Sequence, residues 1–169
     1  PDQLMRALTQ HNARHEIIRT QYIVDGNEVK QRVAENVAAD FKEVTTRLTD
    51  EQQIIQAFMQ PFNLEQPSQM RVRYIHGPHE DYLFMDTHHS INDGMSNTIL
   101  LADLNALYQE KSLPNLSLQY KDYSEWMAHR DLSIQRRYWL QQFEDGVPVL
   151  IMPSDYTRPS IKTTHGQMY

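Results

Sequence analysis

The residues best suited to chemistry in this chain are His88-His89-Ser90-Ile91-Asn92-Asp93-Gly94, two imidazoles followed at short range by a carboxylate and a glycine. An imidazole accepts or relays a proton near neutral pH, so a histidine held at the mouth of a cavity can serve acyl transfer or proton abstraction. His89 is the catalytic candidate, because it stands at the exit of an expected strand. His88 can instead hydrogen-bond into the fold and set the path of the turn. A strand's period of two puts the two rings on opposite faces where regular geometry persists, so they should not share one role.

Asp93 could orient His89 as an acidic partner does in a nucleophilic triad, pair with an arginine and brace the loop, or cap the next helix. Gly94 permits a backbone turn or a close substrate approach. The helix expected to begin around Met95 offers free amide donors for a substrate oxygen. Adjacent histidines by themselves also suit structural or surface roles. A metal is a minor reading, since rings that point apart need further ligands and the segment lacks a zinc-type spacing.

The elements that must position this segment are a hairpin before it and a helix after it. Arg71 and Arg73 alternate with Val72 and Tyr74, His76-Gly77-Pro78-His79 makes a loop, and residues 81–87 return as a strand. Beyond Gly94, Met95, Ile99, Ala102, Leu104 and Leu107 recur at helical spacing, with Leu100 and Leu101 broadening the stripe into a substantially buried helix. Upstream, Leu4, Met5, Leu8 and His11 predict an amphipathic helix from Asp2 to about Ala13, and Arg14-His15-Glu16 a polar turn. Ile17 to Val24 reads as a strand closed by a turn at Asp25-Gly26. Val29, Val33 and Val37 suggest a short helix, and Phe41 to Thr46 another strand. Thr49 and Gln52 fit a capping box for a helix bearing Ile54, Ile55, Phe58 and Met59, which Pro61 should end. Tyr120 to about Phe143 is a second helical region, divided near Asp131, with Trp126 and Trp139 as expected core aromatics. Pro148 through Pro153 reads as an irregular connection.

With 169 residues, 40% of them hydrophobic, the chain can bury a core. Its net charge of -6 gives no broad attraction toward nucleic acid or an anionic membrane. The absence of cysteine excludes disulfides, thiolate nucleophiles and cysteine-rich zinc modules, and suits a reducing cytoplasm. No apolar run reaches membrane-spanning length, so a cytoplasmic location with no membrane or nucleic-acid partner is expected.

The segment from His88 to Gly94 resembles the central motif of the condensation domains of nonribosomal peptide synthetases: two histidines, three variable residues, aspartate and glycine. Arg14-His15-Glu16-Ile17-Ile18-Arg19-Thr20 resembles a second family segment. Tyr120 to Trp126, Tyr138-Trp139-Leu140 and Pro153 to Pro159 resemble others in the same order. The resemblance implies an α/β, chloramphenicol-acetyltransferase-like lobe with helices packed on a mixed or mainly antiparallel sheet. Residues 1–159 would form part of the N-terminal lobe and 160–169 the start of a crossover or second-lobe segment.

It further implies that His89 is the active histidine and His88, Asp93, Gly94, Arg19 and Arg14 are structural members of the motif, with Arg19 preferred over Arg14 as the partner of Asp93. No cofactor or metal would be bound directly. The substrates would arrive on phosphopantetheine arms of donor and acceptor peptidyl carrier proteins, and the second lobe and neighbouring synthetase domains would be further partners. The implied reaction is amide formation between two carrier-bound thioesters, in antibiotic-type peptide biosynthesis. Epimerisation of a carrier-bound thioester and a non-catalytic carrier-recognition lobe are the alternatives. Cyclisation fits less well, because that class typically carries aspartate where this chain has His88.

Overall fold

Alternation of apolar and polar residues over Met70–His76 produces a strand, and Gly77 lets the chain reverse. The Gly77 N–H donates to the Glu80 carbonyl at 3.0 Å, and a Cβ at Gly77 would stand 2.4 Å from that same oxygen. Only glycine fits there without displacing the loop. The computed structural model describes residues 1–149, 153, 155–157 and 160–161.

In chain order the elements are α1 (Asp2–Arg14), a 3-10 turn (Glu16–Arg19), β1 (Thr20–Asp25), β2 (Glu28–Val33), β3 (Asp40–Thr45), α2 (Glu51–Phe58), β4 (Met70–His76), β5 (Asp81–Thr87), α3 (Gly94–Tyr108), α4 (Tyr120–Ala128) and α5 (Ser133–Gln142). One sheet has the order β3-β4-β5, with β3 parallel and β5 antiparallel to β4, so the expected mixed sheet is present. β1 and β2 form a separate antiparallel pair.

Phe41, Val72 and Met85 lie in one row across the three strands and face the core. Ala7 and Leu8 of α1, Ile18, Met70 and Val72 of β4, Ile91, and Leu100 and Leu104 of α3 complete that cluster. The opposite parity of β4 puts Arg71 and Arg73 on the other face.

Several expectations about the elements need correction. The segment carrying Val29 and Val33 is strand β2, not a helix: a spacing of four is helical and is also an even strand spacing, and the turn after Asp25 pairs Val29 with Val24. The strand expected from Ile17 begins only at Thr20, because residues 16–19 coil in a 3-10 turn that buries Ile18. The cap of α2 is Asp50, whose carboxylate accepts from the Gln53 N–H at 2.9 Å, rather than Thr49. α3 is covered on one side only. Leu100 and Leu104 face the core, whereas Met95, Ile99 and Leu101 are exposed, because the apolar residues run round the helix and Met95 and Ile99 on one flank and Leu101 on the other fall outside the covered face.

The helical region after Tyr120 divides as expected, between α4 and α5. Its tryptophans do not enter a core: Trp126 is 55% exposed and Trp139 59%. The chain divides into two units, residues 1–129 and 130–169; in the second, α5 stacks Trp139 on Phe143. Leu150–Met152 of the expected irregular connection, and residues 162–169, lie outside the described residues. No helix among the described residues is long and apolar enough to cross a membrane.

α1 and α3 are joined by buried polar contacts as well as by the core. The Asp103 carboxylate accepts from Arg14 Nε at 2.8 Å and His15 Nε2 at 2.9 Å, and fully buried His11 donates from Nε2 to the Leu100 carbonyl at 3.0 Å. Burial opposes ionisation of Asp103, but the hydrogen bonds and charges of Arg14 and His15 outweigh it and hold the carboxyl below its usual range. Burial, reinforced by neighbouring His15, pushes His11 down to about 4, so the ring is neutral at pH 7.

An unfolded His11 titrates near 6.5, so between that pH and about 4 the unfolded chain binds more protons and stability falls as pH falls. We expect His11 to account for about 3 kcal/mol of that loss by pH 4. Urea unfolding at several pH values should show it, with a distinctly flatter slope in His11→Gln; an unchanged slope would assign the acid sensitivity elsewhere.

Candidate active site

The strand β5 ends at Thr87, yet His88 still makes a ladder bond, donating from its backbone N–H to the Gln69 carbonyl at 3.0 Å. That places His88 on the Arg71 face of the sheet and hands His89 to the turn that follows. The Ser90 N–H donates to His88 Nδ1 at 3.1 Å, and the Ser90 hydroxyl lies 2.8 Å from the same nitrogen. Nδ1 is therefore an acceptor, and the proton of the neutral ring sits on Nε2. Phe62 and the His88 ring meet edge-to-face, at 5.9 Å between centroids and 74° between planes. His89 is exposed and makes no hydrogen bond, ion pair or ring contact among the described residues. The two histidines differ in surroundings, but strand alternation does not separate them, because β5 ends at Thr87 and His89 lies in the turn.

The rest of the turn is pinned at several points. Ile91 is buried in the core and its N–H donates to the His88 carbonyl at 3.1 Å. Asn92 Nδ2 donates to the Thr87 hydroxyl and to Asn97 Oδ1, bridging the end of β5 to the first turn of α3. The Tyr22 hydroxyl donates to the Ser90 carbonyl at 3.2 Å. Sequence patterning does not single out Ile91, Asn92 or Tyr22. An isolated apolar residue inside a polar turn is the signal that could mark Ile91 as an anchor.

Asp93 is the N-cap of α3. Its exposed carboxylate accepts from the Ser96 N–H at 2.8 Å and the Ser96 hydroxyl at 2.7 Å. The hydroxyl first, then the backbone amide, hold the Asp93 carboxyl below its usual range. The expected Arg19 partnership does not form. Arg19 donates instead to the carbonyls of Asn12, Ala13 and Ala34, tying the end of α1 to the residue after β2. Arg14 is likewise committed to Asp103 and the Pro114 carbonyl. The motif's aspartate needs no arginine, because helix-end amides and a hydroxyl satisfy it.

That capping also takes the Ser96 amide out of the donors expected for a substrate oxygen. Gly94 is the first residue of α3, has no left-handed φ, and has nothing within 4 Å of where a Cβ would stand. The turn does not require glycine, and the space before Gly94 is open. No group of three or more His, Asp or Glu among the described residues is placed to hold a metal ion.

The Condensation domain family matches the chain over residues 1–169. Tyrocidine synthase 3 of Brevibacillus parabrevis is 41% identical over 161 residues, which is 91% of this chain and 2% of that protein. Among solved structures, the epimerization domain from the third module of tyrocidine synthetase B matches with a TM-score of 0.76 at 20% identity, over 93% of this chain and 40% of that one. The complex of the X-domain and OxyB from teicoplanin biosynthesis gives a TM-score of 0.78 at 23% identity, over 95% of this chain and 39% of that one. The chain therefore spans about two fifths of the solved domains it resembles and a few per cent of the synthase.

Double-mutant cycles separate the observed pairings from the expected one. Arg14→Ala with Asp103→Ala should show a coupling of roughly 1–3 kcal/mol in unfolding free energy, whereas Arg19→Ala with Asp93→Ala should show none beyond error. Measurable coupling between Arg19 and Asp93 would contradict the cap geometry.

Proposed function

Because the chain belongs to the Condensation domain family, as an N-terminal lobe of the nonribosomal peptide synthetase type in the chloramphenicol-acetyltransferase-like superfamily, we propose that it carries the histidine of a site acting on carrier-tethered thioesters. In the main reading the site joins a donor acyl or peptidyl thioester to the amine of an aminoacyl thioester. The observation supporting it is the contrast between the two imidazoles: His88 is tied at its backbone, at Nδ1 and through its ring contact with Phe62, while His89 is exposed and unpaired among the described residues.

The amine lone pair attacks the thioester carbonyl carbon, the C–N bond forms, the C–S bond breaks, and the amine proton ends on the departing thiolate. His89 receives that proton, or holds the amine by a hydrogen bond while charge develops. Neither role needs an acyl-enzyme. The open space before Gly94 gives the reacting ends a route of approach. Asp93 acts by holding the start of α3, not as an acid or base. The substrates would be presented by phosphopantetheine arms of peptidyl carrier proteins, and the remaining parts of a complete domain would form the other wall of the channel.

Two alternatives have support of their own. The family fold includes an epimerization domain, and a histidine that moves a proton serves equally to remove and return the hydrogen beside a thioester. The X-domain was solved in complex with OxyB, which supports a recognition role for such a fold. The fold likenesses speak for these alternatives more directly than for amide formation.

Product analysis with loaded carrier proteins and the complete synthetase distinguishes them. Amide formation is expected, falling at least about a hundredfold in His89→Ala at constant carrier loading; stereochemical inversion without chain extension would replace this reading with epimerisation, and carrier binding without either product would replace it with recognition. Gly94→Ala should fold as stably as the parent and lower turnover, because its methyl enters the open space. Unchanged turnover in that variant would remove Gly94 from the approach route.

A further inference from the structure

Arg71 lies on β4 directly across from Asp86 of β5, and its residue surface is only 8% exposed. A buried guanidinium is costly unless its charge and donors are met. Here they are met incompletely. Asp86 Oδ2 stands 3.3 Å from Arg71 Nε, an ion-pair contact whose angle leaves Nε without a hydrogen-bond acceptor, and Nη2 reaches the Pro61 carbonyl at 3.3 Å. The flat face of the cation has an aromatic neighbour: the guanidinium carbon stands 3.7 Å from the centroid of the Phe62 ring. An arginine retained in so dry a place, with its set of hydrogen bonds unfinished, is poorly explained by stability alone.

Phe62 has two neighbours. Its face takes Arg71, and it meets the His88 ring edge-to-face. The sheet register puts Gln69, Arg71, Asp86 and His88 on one side, so the stack runs from the buried cation to the first histidine without crossing the sheet. Both contacts are directional. A planar guanidinium over a ring favours one tilt of Phe62, and an edge-to-face pair then favours one tilt of His88.

We propose that Arg71 is a positioning residue for the site: it clamps Phe62, Phe62 orients His88, and His88 sets the turn that presents His89. The proposal rests on the reading of His89 as the working histidine, but its first two steps are geometric and stand apart from any reaction. The chain of contacts assigns a purpose to Phe62 and Arg71, which the proposed reaction does not otherwise use. It also explains why a lysine would be a poor substitute, since an ammonium carries the charge without the flat face.

The test has a spectroscopic arm and a kinetic arm. In the chain labelled with imidazole nitrogen-15, with His88→Gln used to identify the signal, His88 should be fixed as the Nε2–H tautomer. Arg71→Lys and Phe62→Leu should both move it toward a tautomer mixture, while Phe62→Tyr, which keeps the ring, should not. A His88 signal unchanged in Arg71→Lys overturns the proposal. In the complete synthetase, Arg71→Lys should lower kcat by about tenfold to a hundredfold with KM within about twofold, as expected for a site displaced by a fraction of an ångström to one ångström. If His89→Ala abolishes turnover and Arg71→Lys leaves kcat at the parental value, the positioning role fails while the functional reading stands. If His89→Ala itself keeps full turnover, the functional reading fails, and the His88 tautomer alone decides whether Arg71 orients the ring.

Discussion

The placement of the motif depends on one carboxylate, Asp103, which binds α1 to α3. Arg14 and His15 both donate to the same oxygen, and one turn earlier on α3 the Leu100 carbonyl takes the proton of buried His11. An ion pair in a dry setting contributes little net stability, because desolvation cancels much of the attraction. Its effect is registry. Apolar side chains such as Leu8 and Leu104 can slide past one another at small cost, whereas an arginine, a histidine and a carboxylate cannot be unpaired without a penalty of several kcal/mol in principle. Once α3 is held in register, its first turn, the Asp93 cap and the Asn92 bridge are held as well.

This constraint separates what is legible in the chain from what is not. The β4–β5 hairpin is legible because period two, a Gly-Pro loop and a return strand all agree. Val29 and Val33 mislead because a spacing of four satisfies both periodicities. The apolar residues of α3 run round the helix; which of them face the core depends on α1, whose position no local pattern carries. The same limit governs the pairing of Asp93. Arg14 and Arg19 both lie in the second family segment, but the carboxylate that meets Arg14 comes from the middle of α3, and Arg19 finds only backbone carbonyls.

The contact between Arg71 and Asp86 is within reach of the sequence. With the hairpin loop closing between His76 and Asp81, counting back five residues on one strand and forward five on the other pairs Arg71 with Asp86. An arginine facing an aspartate at that register, close to the strand exit that carries the histidines, is a pattern visible in the chain itself. The Phe62 contact is not visible in that way, since the segment between α2 and β4 has no periodicity to orient it.

The adjacency of two histidines is then a consequence of how a strand ends. A residue leaving a sheet is free to turn, and a free residue cannot hold a reacting group within the fraction of an ångström that proton transfer demands. Fixing the residue immediately before it limits that freedom most directly, because only two soft backbone dihedrals separate one planar peptide unit from the next. His88 is suited to be that fixed residue, since its amide completes the ladder, its Nδ1 captures the next turn's N–H at Ser90, and its ring packs edge-to-face with Phe62. An aliphatic residue would supply packing without the Nδ1 bond, and a serine the bond without the packing. His89 is left with no partner of its own among the described residues, and it can be so because its neighbour is held three ways.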